Sequence, residues 1–283
     1  MNITQKHNLV LLKQLVKTDF KLRYQDSVLG FAWSLLNPLF MFLILYIVFD
    51  KFFGMGRMAG VEHYPVQLLL GIVIWNFFAE STSLGLGSIV GKADLLRKIN
   101  FPKYIIVISG TISSLINLGL SLVVVFIFGF INGVHLSWML ILLPLPIIEM
   151  YAFALATSFL LSTLYVKFRD LGHIWGIITQ GWFYATPVVY PLSMVIHFSP
   201  QIAKALLLFP PAQLIQDARY FFISPTKGVV DVGDGIFAPG LPTVWNYIDN
   251  PILHFLPLVF IAVLGVFAVQ YFRTSAKNFA EEI

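Results

Sequence analysis

The sequence predicts an all-α membrane protein: six transmembrane helices, an N-terminal amphipathic interfacial helix, and re-entrant extracytoplasmic helices after the fifth span. Three observations carry that prediction. Of the 283 residues, 58% are hydrophobic and 11% charged, against roughly 45–50% and about 25% in soluble chains. Eighteen Lys/Arg and 14 Asp/Glu cannot clothe a soluble chain of this length in water-facing side chains. The apolar residues come in long blocks, as a helix needs to cross about 30 Å of hydrocarbon, and the mean hydropathy is +0.83. Those blocks lack the period-two alternation of a barrel strand, which leaves the helix to satisfy its own backbone groups in lipid.

Residues 1–30 read as a cytoplasmic interfacial helix ending in a turn. Lys13, Lys17 and Lys21 recur every four residues on one face, while Leu12, Leu15, Val16, Phe20 and Leu22 supply apolar surface, the pattern of a helix lying in the headgroup layer. A cleavable signal peptide is not expected, because a charged stretch with no small-residue cleavage site precedes the first apolar run.

The six-helix domain is expected over residues 31–272. Its apolar runs are Phe31–Phe49, Pro65–Leu86, Tyr104–Ile131, Trp138–Leu164, Ile174–Tyr190 and Ile252–Phe272. The fifth is barely long enough. It ends in Thr186-Pro187-Val188-Val189-Tyr190-Pro191, where two prolines four residues apart remove donors and break the helix near the membrane surface. Residues 187–250 form the only long extracytoplasmic stretch. Its apolar pieces, Met194–Phe198, Ile202–Phe209 and Leu214–Ile223, are too short to span and read as re-entrant or interfacial half-helices. Lys227–Pro242, rich in Gly, Asp and Pro, reads as coil. Residues 273–283 are a cytoplasmic tail.

Orientation follows from the basic residues between spans. Lys6, Lys13, Lys17, Lys21 and Arg23 precede the first span; Lys92, Arg97, Lys98 and Lys103 lie between the second and third. Lys167 and Arg169 lie between the fourth and fifth, and Arg273 and Lys277 follow the last. That is thirteen on one side. The other side holds five, Lys51, Arg57, Lys204, Arg219 and Lys227, on longer loops. Both termini are therefore expected in the cytoplasm.

Catalytic chemistry is hard to find. Gly85–Ala93 is the nearest approach to a phosphate loop, but Leu86 stands where the pattern needs Gly, and Ala93 follows Lys92 where a hydroxyl should reach magnesium. If ATP drives this protein, another chain binds it. The zero cysteines exclude disulfides and thiol catalysis, and His7, His63, His135, His173, His197 and His254 are scattered rather than set at metal-ligand spacing. No catalytic, cofactor or metal residue is expected. Asp50, Glu80 and Glu149 are the acids within apolar runs. Glu80 and Glu149 lie deepest and should face the interior or a water-filled cavity, with ion coupling the lesser reading.

The cytoplasmic loop 91–102 is the most informative segment. Gly91-Lys92-Ala93-Asp94-Leu95-Leu96-Arg97-Lys98-Ile99-Asn100-Phe101-Pro102 can form a short helix closed by a proline. It is either a knob for a cleft on a soluble partner or a loop that only fixes topology.

Four blocks occur in order along the chain: Leu22-Arg23-Tyr24-Gln25-Asp26-Ser27-Val28-Leu29-Gly30 into Phe31–Pro38, Gly71–Phe78 followed by Leu95–Pro102, Phe168–Ile174 leading to Thr186–Pro191, and Phe209–Gln213 through Arg219. In this ordered set the chain resembles the membrane-spanning subunit of ATP-binding-cassette exporters of lipid-linked polysaccharide, the O-antigen, capsule and teichoic-acid type. It departs from that family's usual pattern at Pro210-Pro211, where Asn-Pro is customary, and at Thr18-Asp19, where Arg-Asp is.

The resemblance implies a homodimer in the bacterial inner membrane with two copies of a cytoplasmic ATPase, which would hold the ATP and magnesium, and a lipid-linked glycan as cargo. It involves no nucleic acid. The channel would be lined mainly by the first and fifth spans. Asp94, Leu95, Leu96, Arg97, Lys98 and Ile99 would couple to the ATPase, with Arg169 and Asp170 as a second contact. Arg23, Tyr24 and Gly30 would frame substrate entrance, Gly30 supplying the sharp turn. Because sugar rings pack on aromatic faces, Trp33, Tyr46, Trp182, Tyr184 and Tyr190 are the candidate channel aromatics. The competing readings are a drug or lipid exporter subunit, a membrane-embedded glycan-modifying transferase, and an ion-driven flippase. The transferase would need clustered acids or histidines at one face, and the flippase paired intramembrane charges; neither pattern is present.

Overall fold

Long apolar runs fold as helices because hydrocarbon offers no partner to a free backbone group. A computed structural model describes residues 3–23, 30, 32–58, 61–98, 101–135, 137–224, 229–231 and 237–279. Helix α1 (Ile3–Arg23) is followed by α2 (Ala32–Tyr46), which continues into a π-helical turn, Ile47–Phe52, and by the short α3 (Met55–Met58). Then come α4 (Tyr64–Gly91), α5 (Ala93–Lys98), α6 (Tyr104–Ile131) and, after a tight 3₁₀ turn at Trp138–Leu142, α7 (Pro144–Lys167). Helix α8 (Leu171–Ala185) leads to three short helices, α9 (Leu192–Phe198), α10 (Pro200–Leu207) and α11 (Pro210–Ile223). Strands β1 (Val229–Asp231) and β2 (Phe237–Pro239) precede α12 (Val244–Tyr247), α13 (Pro251–His254) and α14 (Leu256–Ser275).

Among the described residues, five helical segments are long and apolar enough to cross a membrane: Ala32–Phe52, Tyr64–Gly91, Tyr104–Ile131, Trp138–Lys167 and Leu256–Ser275. The chain is an all-α multi-pass membrane protein carrying one small strand pair. The fifth expected span is α8, which has 15 residues and so rises about 22 Å, short of a full bilayer core. The last expected span is interrupted at Phe255, between α13 and α14.

The segment Lys227–Pro242, expected as coil, is corrected in part. Val229, Val230 and Asp231 pair antiparallel with Pro239, Ala238 and Phe237. The β-branched Val229-Val230 favours extended backbone, and the intervening Gly/Asp-rich residues carry the turn signal. The short lengths of the two runs hid this ribbon.

Of the five long segments, one is interior. In α4 the most apolar stretch is 72% buried, against 17–33% in the other four segments. It can be enclosed because its neighbours come close. A Cβ on Gly85 would sit 2.3 Å from the Ser158 side chain of α7, the close approach that small residues permit between membrane helices. Ser158 Oγ donates to Ala154 O at 2.7 Å and to Ser81 O at 3.2 Å. Phe78 of α4 stacks on Phe153 of α7 at 5.1 Å. Trp175 of α8 donates to Thr82 Oγ1 at 3.1 Å, fastening α8 to the same helix.

The chain leaves helix after Ala185, as the prolines require, and its freed carbonyls are gathered by one side chain. Arg219, on α11, is fully buried. Its Nη1 donates to Pro187 O at 2.7 Å and to Gln216 Oε1 at 2.9 Å, its Nη2 to Val188 O at 2.6 Å, and its Nε to Gln67 O of α4 at 3.0 Å. Tyr64 Oη takes the next carbonyl, Val189 O, at 2.7 Å. Tyr190 Oη reaches back to Ala185 O at 2.8 Å. Gly71 makes the room: a Cβ there would lie 2.4 Å from Arg219 Nη2 and 3.2 Å from Val188 O.

Arg219→Met should therefore cost at least about 3 kcal/mol, since several buried carbonyls lose their donor together. Gly71→Ala should give a similar loss by displacing the guanidinium. Thermal unfolding in detergent checks both. A wild-type midpoint for Arg219→Met would show that the break is held by something else.

Candidate functional site

A cavity of about 570 Å³ lies between α2, α4 and α6. Each helix contributes a pair of residues four apart, hence on one face: Trp33 and Asn37 from α2, Asn76 and Glu80 from α4, Asn117 and Ser121 from α6. Asn117 Nδ2 donates to Glu80 Oε1 at 2.9 Å, tying α6 to α4 across the cavity. Glu80 lies well inside the 28-residue α4 and Asn117 near the middle of α6, so these polar groups sit at hydrocarbon depth. Amides, a carboxylate, a hydroxyl and an indole face offer hydrogen bonds in both senses and one flat apolar surface. No group of three or more His, Cys, Asp or Glu among the described residues is placed to hold a metal.

Of the five aromatics expected to line a channel, Trp33 lines this cavity among the described residues; it is 48% exposed. Tyr46 stacks on Phe42 at 5.6 Å with the Lys51 ammonium 5.1 Å from its ring. Trp182 lies edge-on to Trp175 and Phe209 at 5.9 and 5.2 Å. Tyr190 is held at the helix break. Tyr184 stands 54% exposed on the open face of α8. Gly30 has φ +46°, the left-handed conformation that favours glycine, as the sharp turn requires. Tyr24, Ile99 and the side chain of Arg23 lie outside the described residues.

Helix α5 carries Asp94, Leu95, Leu96, Arg97 and Lys98. Asp94, Arg97 and Lys98 are exposed. Leu95 and Leu96 turn inward against the chain's own cluster of Ile89, Phe101, Ile106 and Phe272. Arg169 and Asp170 are exposed in the turn between α7 and α8, with the Arg169 guanidinium 5.6 Å from the Tyr165 ring. The alternation of α4, α6 and α7 brings that turn to the same end of the bundle as α5. Lys92, just before α5, donates to Asp19 of α1 at 2.7 Å and to Ser109 of α6 at 3.1 Å. That junction was not anticipated, and neither were Asn37, Asn76, Asn117 and Ser121. The four-residue spacing of polar groups within apolar runs was the signal available for those four.

A second cavity, about 120 Å³, is lined by Glu149, Gln213, Asp217, Trp245 and His254. Gln213 Nε2 donates to Asp217 Oδ2 at 2.5 Å. Glu149 Oε2, Gln213 Oε1 and Asp217 Oδ1 are buried with no hydrogen-bond partner among the described residues. Asp217 lies outside the five long helices, and burial pushes its carboxyl up to about 7 against the opposing donation from Gln213.

Residues 10–218 match the model of the ABC-2 type transporter family. The chain belongs to that family. The match runs from α1 through the cavity, α5 and the α8 break to the residue before Arg219. Among curated relatives, an O-antigen export system permease protein RfbA of Myxococcus xanthus is 33% identical over 198 residues, 70% of this chain and 74% of the relative. Two such permease proteins of Klebsiella pneumoniae are 30% and 29% identical over 233 and 231 residues, about four-fifths of this chain and 86% of each relative. As an ABC-2 type family member the chain is a non-catalytic membrane permease subunit, related to O-antigen export permeases.

The raised Asp217 acidity has a sign that can be checked. A carboxyl whose folded pKa lies above its unfolded value loses stability for the fold as pH climbs from the unfolded value through 7. Asp217→Asn should remove that slope, leaving the variant at least as stable as wild type at pH 8. Thermal midpoints at pH 5 and pH 8 measure it; parallel slopes in the two proteins would refute the assignment.

Proposed function

We propose that the chain is the transmembrane permease subunit of an ATP-driven exporter that moves a lipid-linked polysaccharide, of the O-antigen, capsule or teichoic-acid type, across the bacterial cytoplasmic membrane. The observation that carries this reading is the polar cavity at hydrocarbon depth, with Trp33 beside the amides of Asn37, Asn76 and Asn117. A sugar presents hydroxyls to amides and carboxylates and an apolar C–H face to an indole. A hydrophobic drug needs few of these groups. The names of the relatives support the same cargo.

In this scheme two copies of the chain assemble with two copies of a cytoplasmic ATP-binding-cassette ATPase, which binds the ATP and magnesium. Both termini lie in the cytoplasm. Helix α8 makes the sixth crossing, re-entrant α9–α11 follow it on the extracytoplasmic side, and residues 187–250 act as the outer gate. The open faces of α2 and α8 meet their counterparts to enclose the conduit, with Trp33, Tyr46, Trp182, Tyr184 and Tyr190 as its rings. Arg23, Tyr24 and Gly30 frame the entrance, where Arg23 meets the pyrophosphate of the lipid carrier. The ATPase docks on Asp94–Ile99 together with Arg169 and Asp170. Its movement passes through Lys92 and Asp19 to α1.

Two experiments test the scheme. Asn37→Leu with Asn76→Leu should slow glycan export about tenfold, by loss of one or two hydrogen bonds, with ATPase assembly unchanged; export that simply follows protein level would remove the cavity from the glycan path. Arg97→Glu with Lys98→Glu, both exposed, should weaken ATPase co-purification about tenfold or more through like-charge contact. Unchanged co-purification and hydrolysis would remove α5 from the docking surface.

A further inference from the structure

We infer that the chain carries a binding site for an anionic phospholipid at the α5 end of the bundle, independent of the glycan path. A pocket of about 590 Å³ lies between α6, α7 and α14. Its rim is Lys103, Arg273 and Lys277, and its floor is Phe159, Val269 and Phe272. Among the described residues no acidic side chain lines it. Arg273 and Lys277 are exposed and form no ion pair among the described residues. Lys103 Nζ donates to Ala276 O and lies 5.6 Å from the Phe279 ring centre, so the end of α14 is fastened beside α6 and a third cation is fixed at the mouth.

Depth decides what fits. Phe159 lies eight residues before Lys167, the end of α7, and Val269 six before Ser275, the end of α14. At about 1.5 Å per residue the floor reaches roughly 9–12 Å inward from the charged end. A soluble protein cannot follow it into hydrocarbon, and a small anion would use the rim alone. A diacyl lipid fills both halves, its phosphate among the three cations and its chains along Val269 and Phe272, in the manner of basic pockets between membrane helices. The positive-inside bias accounts for how many cations stand at this end. It does not account for their convergence on an apolar cleft.

The test is native mass spectrometry of the full-length chain in detergent with equimolar dioleoyl-phosphatidylglycerol and dioleoyl-phosphatidylcholine. Phosphatidylglycerol should be retained about thirtyfold more strongly, the effect of two free cations near a phosphate. The preference should vanish in the Arg273→Gln, Lys277→Gln double variant, and excess glycerol 3-phosphate should not displace the lipid. If the double variant fails to fold, Lys277→Gln alone, at an exposed position, should reduce the preference about fivefold. Equal retention of the two lipids, or a preference that survives the substitutions, would overturn the assignment. Displacement by glycerol 3-phosphate would make this a site for a free phosphate ester and would equally overturn it. Glu281 and Glu282 are present in the full chain, so a tail that neutralised the rim would register as equal retention.

Discussion

A membrane helix that stops inside the protein leaves carbonyl oxygens that neither water nor lipid can pair, and the architecture of the outer half follows from how that shortage is met. Arg219 meets it. Among the described residues the guanidinium has no carboxylate partner and binds carbonyls instead, two from the break after α8 and one from α4. Such a charge is tolerable in the interior only because nearly all of its donors are used. The same contacts fix α11 beneath the break and against α4, the most buried of the five long segments. Gly71 is the complement on α4, its missing side chain occupied by the Arg219 Nη2 group.

The rest of the bundle obeys a rule particular to lipid. Burying apolar surface against apolar lipid gains little, so helices associate through close backbone approach and through polar contacts. Gly85 against Ser158, Trp175 against Thr82, and Asn117 against Glu80 are all of this kind, and each includes α4. The interior helix is thus the one that offers small and polar residues to several neighbours. Apolar surface remains outward on α2, α6, α8 and α14, where bilayer or a second subunit can cover it.

Much of this was legible in the sequence, for identifiable reasons. Span positions follow from block length, and the end of α8 follows from Pro187 and Pro191, because a missing donor is a local property. The left-handed turn at Gly30 is local in the same sense. The role of Arg219 was not legible: counted by sequence it is one more basic residue in an outer loop, and its partners are 31, 32 and 152 positions away. The packing of Leu95 and Leu96 was not legible for a related reason. A short amphipathic helix displays an apolar face whether that face meets a partner or its own bundle, and that part of this face rests on Ile89, Phe101 and Ile106 is a fact of packing. The cavity is intermediate. Its four-residue spacings are visible, but that three such pairs from α2, α4 and α6 converge is a fact of packing.

The two ends of the bundle use their cations differently. At the break after α8 one buried cation, Arg219, is spent on backbone carbonyls, while on the nearby α10 Lys204 pairs with Asp249 in an exposed ion pair. At the α5 end the Lys92–Asp19 pair is about a quarter exposed, Lys103 donates to the Ala276 carbonyl, and Arg97, Lys98, Arg273 and Lys277 are exposed. Exposed pairs of this kind contribute little to stability and exchange partners easily. The buried Arg219 contacts are therefore costly to break, and the exposed contacts at the α5 end are cheap to rearrange.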